Sequence, residues 1–164
     1  LRNYGCRPVK RLMDHGILGE KTVLGHCIHV NSAEIDIIKE TGEFVVNLTT
    51  KRLVRETDYC GVKSGRDIDK FKECKLTPCE SSKVACPGIA ESPVCLECKV
   101  KEIVKLGSHD MFVAEVVAVT VSGEYMDENG KFHLNDTELV AYSHGEYFSL
   151  GEKLGSFGYS VKKK

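Results

Sequence analysis

The 164-residue chain lacks an excess of charge of either sign. It carries 23 Lys and Arg against 24 Asp and Glu, which gives a formal net charge of −1. Proteins that bind nucleic acid or anionic membranes concentrate positive charge on one face, whereas this sequence intersperses both signs. The closing run of three lysines is interpreted as a frayed end. We therefore expect neither a nucleic acid nor a membrane as a partner.

The chain also lacks long apolar runs. No stretch approaches the roughly 18 apolar residues that a membrane-spanning helix needs. Its first residues contain neither the apolar core of a signal peptide nor an initiator Met, which favours a fragment, a processed chain or a fusion in the cytoplasm. The eight cysteines need not form a disulfide framework in a chain of this size, and we interpret them as reduced thiols.

Hydrophobic periodicity predicts a helix after residue 31. Asn31 and Glu34 resemble a capping box, and Gly42 stands where a left-handed residue would end the helix. Further elements are predicted in this order: a strand over 44–48, a helix over 53–59 ended by Gly61, and a helical turn over 67–71.

Residues 94–121 predict two strands. The alternation in 94–100 indicates a half-buried strand with one solvent-facing side, and a change of parity predicts a bulge near Lys101 and Glu102. Residues 111–121 are almost continuously apolar, which predicts a strand buried on both faces. A strong turn signal follows at 127–130. Several strands with few short helices predict an antiparallel β-barrel or an α+β domain.

Two motifs resemble metal sites but have a simpler structural interpretation. Cys95 and Cys98 form a CxxC motif, yet on a strand a spacing of three places the thiols on opposite faces. The same argument separates His26 and His29, and the sequence contains no HExxH motif. We therefore predict no metal ligands.

The segment from Ser64 to Phe71 fits a phosphate site. Ser64 and Gly65 precede a predicted helical turn, so backbone N–H groups and a hydroxyl would face an anion at the positive end of the helix dipole. Arg66 or Lys70 would match its charge, and Phe71 would cover an aromatic ring. A capped surface turn is the alternative.

His109 stands in a turn just before the valine-rich strand. A ligand often binds at the mouth of a barrel, and an imidazole there is able to exchange protons near neutral pH. An ordinary turn residue is the alternative interpretation, and the pattern alone leaves both open.

Four stretches in order resemble the flavin reductase-like, FMN-binding split-barrel family, particularly its flavoredoxin-type members. They are residues 37–48, 58–71, 107–116 and 147–152. Ala114 departs from the family, which usually has glycine at this position. The resemblance implies a mainly β fold, a split β-barrel with a few short helices.

The resemblance also implies a cofactor and partners. FMN would be held non-covalently near the interface of a homodimer, with electrons supplied by NAD(P)H or a redox protein. His109 would be the catalytic residue near the flavin or the hydride donor. Residues at matching positions would bind the cofactor: Asn47, Thr49, Ser64, Gly65, Arg66, Lys70 and Phe71.

Residues 1–34 resemble something else, an internal fragment of a metal-dependent amidohydrolase. The resemblance lies in residues 4–12, 15–19 and 24–30, where His26 matches a residue of the metal-centre shell. Split-barrel proteins have their opening strands at this point. We therefore expect a chimera, with a foreign segment over 1–34 and a flavin reductase-like domain over 35–164 whose N-terminal strands are replaced.

The leading hypothesis is a flavin-dependent oxidoreductase that transfers electrons through bound FMN. The alternative is a non-enzymatic split-barrel domain that has lost its cofactor site, motivated by the replaced strands. A metal-dependent hydrolase rests on His26 and His29 alone. The electron donor and acceptor are left open by the residues.

Overall fold

A computed structural model describes residues 32–63, 65, 67–107 and 110–161. The predicted Asn31 cap and the segment that carries His26 and His29 lie outside the described residues. The elements, in chain order, are α1 (Ser32–Thr41), β1 (Glu43–Asn47), α2 (Val54–Val62), α3 (Lys70–Glu73), β2 (Pro78–Cys79), β3 (Gly88–Ile89), β4 (Val94–Lys105), β5 (Asp110–Val121), β6 (Val140–Ser143) and β7 (Glu146–Ser149). The described part of the chain is therefore mainly β with a few short helices, as predicted.

The passage from α1 to β1 confirms the first predicted helix and strand. Gly42 adopts φ +67°, a left-handed conformation that a Cβ atom disfavours, and its N–H donates to the carbonyl of Ile38 at 2.9 Å. The chain therefore turns within one residue from the helix into the sheet.

The main sheet has three antiparallel strands in the order β1-β4-β5. The central strand β4 carries the most buried side chains, with Cys98 at 3% exposure and Glu97 at 1%. Val119 and Ala118 of β5 complete this small core on the neighbouring strand. Two further antiparallel pairs, β2 with β3 and β6 with β7, form two-stranded sheets.

Strand β5 corrects one expectation. Its predicted burial on both faces is wrong, because Met111 and Val113 are 46% and 43% exposed and the burial alternates along the first half of the strand. In the described residues β5 pairs only with β4, so it lies at an edge of the sheet. Valine-rich composition reflects β propensity as well as burial, and here propensity explains it.

Strand β4 confirms the predicted bulge and corrects the predicted solvent-facing side. The register shifts between Val100 and Glu102, as expected, and shifts again between Glu97 and Cys98. Cys95 and Glu97, predicted to face solvent, are 5% and 1% exposed. Residues 79–89 supply the groups that contact this side of the strand.

The helices after β1 differ from their predicted bounds. Helix α2 continues through Gly61 and ends at Val62, so Gly61 does not end it. The predicted turn over 67–71 is displaced to α3 (Lys70–Glu73), because the Asp69 side chain accepts from the N–H of Lys72 at 3.1 Å and fixes the start of the helix there. The hairpin of β6 and β7 has no counterpart in the predictions.

The carboxylate of Glu97 fastens residues 82 and 83 to the sheet. It accepts from the N–H and the hydroxyl of Ser82, both at 3.0 Å, and from the N–H of Lys83 at 2.6 Å. These charge-assisted bonds satisfy a carboxylate that would otherwise be buried without partners.

We predict that Glu97→Gln lowers the free energy of unfolding by about 2–3 kcal/mol, because an amide NH₂ would then face a buried N–H donor. Guanidinium denaturation measures this. The matched control is Glu115→Gln, whose carboxylate is 56% exposed and pairs with Lys101. A surface pair of this kind contributes at most about 1 kcal/mol, so equal losses in both variants would contradict the assignment.

Candidate functional site

The predicted site residues Asn47 and Thr49 lie at the end of β1, and both are used within the fold. The Oδ1 atom of Asn47 accepts from the N–H of Ile89 at 2.9 Å and lies 3.2 Å from the thiol of Cys95. Its Nδ2 atom donates to the carbonyl of Val45 at 3.4 Å. The side chain therefore joins β1 to β3 and β4.

Thr49 connects β1 to α2. Its hydroxyl lies 3.2 Å from that of Thr57, which itself donates to the carbonyl of Leu53 at 2.8 Å. The Thr57 hydroxyl has one proton to donate, so the Thr49 hydroxyl is the donor of the pair. This bond holds the first turn of α2 against the end of the strand.

The candidate phosphate loop joins α2 to α3. Ser64 and Arg66 lie outside the described residues, whereas Gly65 is exposed. Lys70 and Phe71 are half-buried in the first turn of α3, and the carbonyl of Phe71 accepts from the N–H of Leu76 at 2.9 Å. The structure thus places Gly65 on the connection and Lys70 and Phe71 at the start of the helix that follows it.

His109 lies outside the described residues, but its flanks are described. Lys105 and Asp110 pair across the end of the β4–β5 hairpin, and Gly107 adopts φ +77°. The carboxylate of Asp110 forms an ion pair with Lys39 at 2.6 Å, which connects the hairpin to α1.

The sheet register separates the two groups of predicted residues. Asn47 pairs with Cys95 on β4, and Lys105 lies ten residues further along the same strand. At about 3.3 Å per residue, the Asn47 end and the hairpin end are roughly 30 Å apart within one chain.

Glu43 is a second carboxylate, beside Glu97, that holds the loop over residues 79–89 against the sheet. Sequence reasoning missed it. It accepts from the N–H of Ala85 at 2.7 Å and pairs with Lys99 at 3.0 Å. The Ala85 N–H and then the Lys99 ammonium lower the pKa of Glu43 from its ordinary value of 4.5. Because this pKa is depressed, the contribution to stability is present at neutral pH and is lost as the pH falls through the folded-state pKa.

The same loop over residues 79–89 also contains a position with little room for a side chain. A Cβ atom on Gly88 would lie 3.0 Å from the Cys79 sulfur and 3.2 Å from the Cys95 sulfur. Glycine therefore lets β3 approach the buried end of β4, the approach that brings Ile89 to Asn47. The sequence contains no signal for Glu43 or Glu97, because the backbone groups that they accept from are 14 or more positions away. Gly88 gives no signal either, because its neighbours Cys79 and Cys95 lie on other strands.

Other parts of the described chain offer fewer functional groups for a site. A cleft of about 840 Å³ lies between residues 135–139 and the tail over 149–160, and none of the predicted site residues lines it. Within the described ranges, no group of three or more metal-ligating side chains occurs, and no helix is long and apolar enough to cross a membrane.

Comparison with known proteins agrees with the fold. The family model described as "Flavin reductase like domain" matches residues 20–151. The chain belongs to this family. It is 36% identical over 126 residues to an uncharacterized protein of Archaeoglobus fulgidus, a match that covers 77% of this chain and 68% of the relative.

Two solved flavoredoxins are similar to this chain. Flavoredoxin of Desulfovibrio vulgaris superposes with a TM-score of 0.73 at 28% identity, covering 82% of this chain and 74% of the other. Flavoredoxin from Methanosarcina acetivorans gives a TM-score of 0.70 at 27% identity, covering 81% and 74%. The predicted split-barrel resemblance is confirmed.

A short second match accompanies these. The chain is 42% identical over 40 residues to a 5-methylthioadenosine/S-adenosylhomocysteine deaminase of Caldanaerobacter subterraneus, covering 24% of this chain and 9% of that protein. This match is consistent with a chimera. The flavin reductase match begins at residue 20, before the predicted boundary at residue 35, and that boundary stays a prediction.

We predict that Asn47→Ala lowers the free energy of unfolding by about 1–2 kcal/mol, because the Ile89 N–H loses its acceptor. Loosening of this contact is expected to speed the reaction of Cys95 with a thiol reagent. Urea denaturation and mass-mapped alkylation measure the two effects. Asn129→Ala is the control, since only the backbone of this exposed residue donates to Asp127. An Asn47→Ala variant as stable and as slowly alkylated as its parent would refute the structural role.

Proposed function

We propose that this chain is an FMN-binding redox protein of the flavoredoxin type, which passes electrons through bound flavin from a reduced nicotinamide or a protein donor. Family membership over residues 20–151, together with the two flavoredoxin structures, carries the proposal. The isoalloxazine ring, when bound, supplies the electron-transfer chemistry.

The connection between α2 and α3 has the properties that a phosphate site needs. Residues 63–73 contain four basic and three acidic side chains, so the segment is net positive. One of those acids, Asp69, turns its carboxylate to the N–H of Lys72, which reduces its repulsion of an anion. The proposed phosphate contacts are Ser64, Gly65, Arg66 and Lys70, with Phe71 beside the ring.

The residues at the end of β1 fit a direct contact less well. The Asn47 amide and the Thr49 hydroxyl are engaged with Ile89 and Thr57 in the structure. We propose that they act on FMN mainly by holding β1, β3 and α2 in place, with His109 as the residue nearest the electron donor.

A homodimer belongs to the same proposal. The hairpin end of β4 lies roughly 30 Å from the end of β1 where Thr49 holds α2, the helix that leads into the proposed phosphate contacts. Two copies that pack face to face would bring the hairpin of one to the cofactor of the other. Exposed Met111 and Val113 at the edge of the sheet suit burial by such a copy.

The alternative function is a split-barrel domain that no longer binds flavin. The engaged Asn47 and Thr49 side chains favour it specifically, because the Asn47 Oδ1 atom and the Thr49 hydroxyl proton are already bonded within the fold. The cytoplasmic location also stays a proposal, and buried reduced thiols suit such a reducing compartment.

The central experiment is a titration of the full chain with FMN and, in parallel, with riboflavin, which lacks the phosphate. We expect saturable FMN binding with a flavin absorbance band at about 450 nm. Lys70→Ala is expected to weaken FMN binding about tenfold and leave riboflavin binding unchanged, because a charge-assisted phosphate contact contributes about 1.5 kcal/mol. Lys72→Ala on the same helix is the control. A parent chain that binds neither flavin would establish the alternative.

A second prediction concerns His109. His109→Ala is expected to slow flavin reduction by NADH or NADPH about a hundredfold, the lower range for a general acid–base group, with a smaller effect on FMN affinity. Stopped-flow bleaching of the flavin measures the rate. The control is His144→Ala in the β6–β7 turn. Unchanged reduction in the His109 variant would remove this residue from the mechanism.

A further inference from the structure

The sulfur atoms of Cys60 and Cys74 lie 3.8 Å apart, although the two residues are fourteen positions apart in sequence. Cys60 stands in the last turn of α2, and Cys74 is the C-terminal cap residue directly after α3. Both thiols are half-buried and neither is in a disulfide. The fold therefore brings one thiol against another at the two ends of the connection between α2 and α3.

The remaining described cysteines also lie near one another. Cys79 and Cys86 are half-buried, like Cys60 and Cys74, whereas Cys95 and Cys98 are buried. Cys95 lies beside Cys79, and the two sulfurs share the space next to Gly88. Cys98 is 3% exposed, and burial, with a contribution from Cys86, raises the pKa of Cys98 to about 11. Such a thiol stays protonated at neutral pH, and only the thiolate is an effective nucleophile.

We propose that Cys60 and Cys74 form a reversible dithiol–disulfide site that a peroxide oxidises. The sulfurs need to close from 3.8 Å to about 2.05 Å, a movement within the range of side-chain rotation and small helix shifts. Cytosolic disulfides of this kind are usually transient and redox-sensing, which fits a chain with reduced core thiols.

The oxidation balances with hydrogen peroxide as the oxidant. One thiolate attacks a peroxide oxygen, the O–O bond breaks, and the products are a sulfenic acid and a hydroxide that takes up a proton. The second thiolate attacks the sulfenic sulfur, the S–S bond forms, and the S–O bond breaks with loss of hydroxide, which is protonated to water. Two thiols lose two electrons to one peroxide, giving a disulfide and two waters, and a dithiol reductant reverses the reaction by exchange.

A bond between Cys60 and Cys74 has a consequence for FMN binding. This consequence rests on the proposed function. A Cys60–Cys74 disulfide closes a covalent ring around residues 61–73, which contain the proposed phosphate contacts. Restricting both ends of this segment lowers the entropy that is lost when it orders around a ligand. The oxidised chain is therefore expected to bind FMN more tightly than the reduced chain.

Peptide mapping tests the site without reference to flavin. The full chain is treated with hydrogen peroxide, its remaining thiols are alkylated, and it is digested with trypsin without reductant. Cleavage after Arg55, Lys63, Arg66, Lys70, Lys72 and Lys75 would leave peptide 56–63 joined to peptide 73–75 only if Cys60 and Cys74 are bonded. We expect this linked pair to form before any link that involves Cys95 or Cys98, and to disappear after treatment with dithiothreitol.

Two results would overturn the proposal. One is recovery of Cys60 and Cys74 as separately alkylated or sulfinic peptides, and the other is a bond from either residue to a different cysteine. Cys60→Ser is expected to abolish the linked pair, whereas Cys86→Ser, which changes a half-buried thiol elsewhere, is expected to keep it. Mapping of the unmodified chain decides the matter even if a variant fails to fold.

FMN titration of the oxidised and reduced chains tests the consequence separately. We expect a dissociation constant about fivefold lower after oxidation, and no difference between the two treatments in Cys60→Ser. Equal affinities would refute the effect on the loop while the linked peptides stand. Absence of FMN binding in both states would instead refute the proposed function.

Discussion

The buried carboxylate of Glu97 is the interaction on which the arrangement of the described fold depends. A charge at 1% exposure in the middle of the central strand is tolerable only because Ser82 and Lys83 donate three hydrogen bonds to it. These bonds bring residues 79–89 over a side of β4 that would otherwise face water. Glu43 holds the same loop at Ala85, so two carboxylates from neighbouring strands fix one segment.

Burial of this side of β4 then decides what the neighbouring residues can do. Ile89 approaches the end of β1 and takes the Asn47 amide as its acceptor, so a residue expected beside the cofactor becomes a link between strands. In the described part of the connection between α2 and α3, Gly65 is exposed. The proposed phosphate contacts therefore belong to that connection and to the first turn of α3, and none of them belongs to the loop that the carboxylates hold.

The sequence predicted those features that depend on neighbouring residues. The α1 helix, its end at Gly42, strand β1 and the bulge near Lys101 all follow from short-range patterns, and the structure has each of them. The wrong expectations concern long-range contacts. Whether Cys95 faces water depends on residues 79–89. Whether β5 is covered depends on its position in the sheet. The local alternation of apolar residues in a strand encodes neither of these contacts.

The candidate site stays a prediction. A net-positive connection between two helices is visible in the sequence, but no contact in the structure tests whether it binds a phosphate. The engagement of Asn47, the roles of Glu43 and Glu97 and the contact of Cys60 with Cys74 each require a partner far along the chain. Family resemblance assigned cofactor-binding roles to the residues at matching positions. Only the contacts in the structure distinguish a ligand-binding side chain from one that holds the fold together.

A crystal structure of the full chain grown with FMN tests the central claim most directly. Our expectation is a flavin phosphate against residues 64–71, with the Asn47 amide still bonded to Ile89 and the β4–β5 hairpin of a second copy beside the ring. A flavin bound elsewhere, such as in the cleft along residues 149–160, or crystals that take up no flavin from a saturating solution, would contradict it.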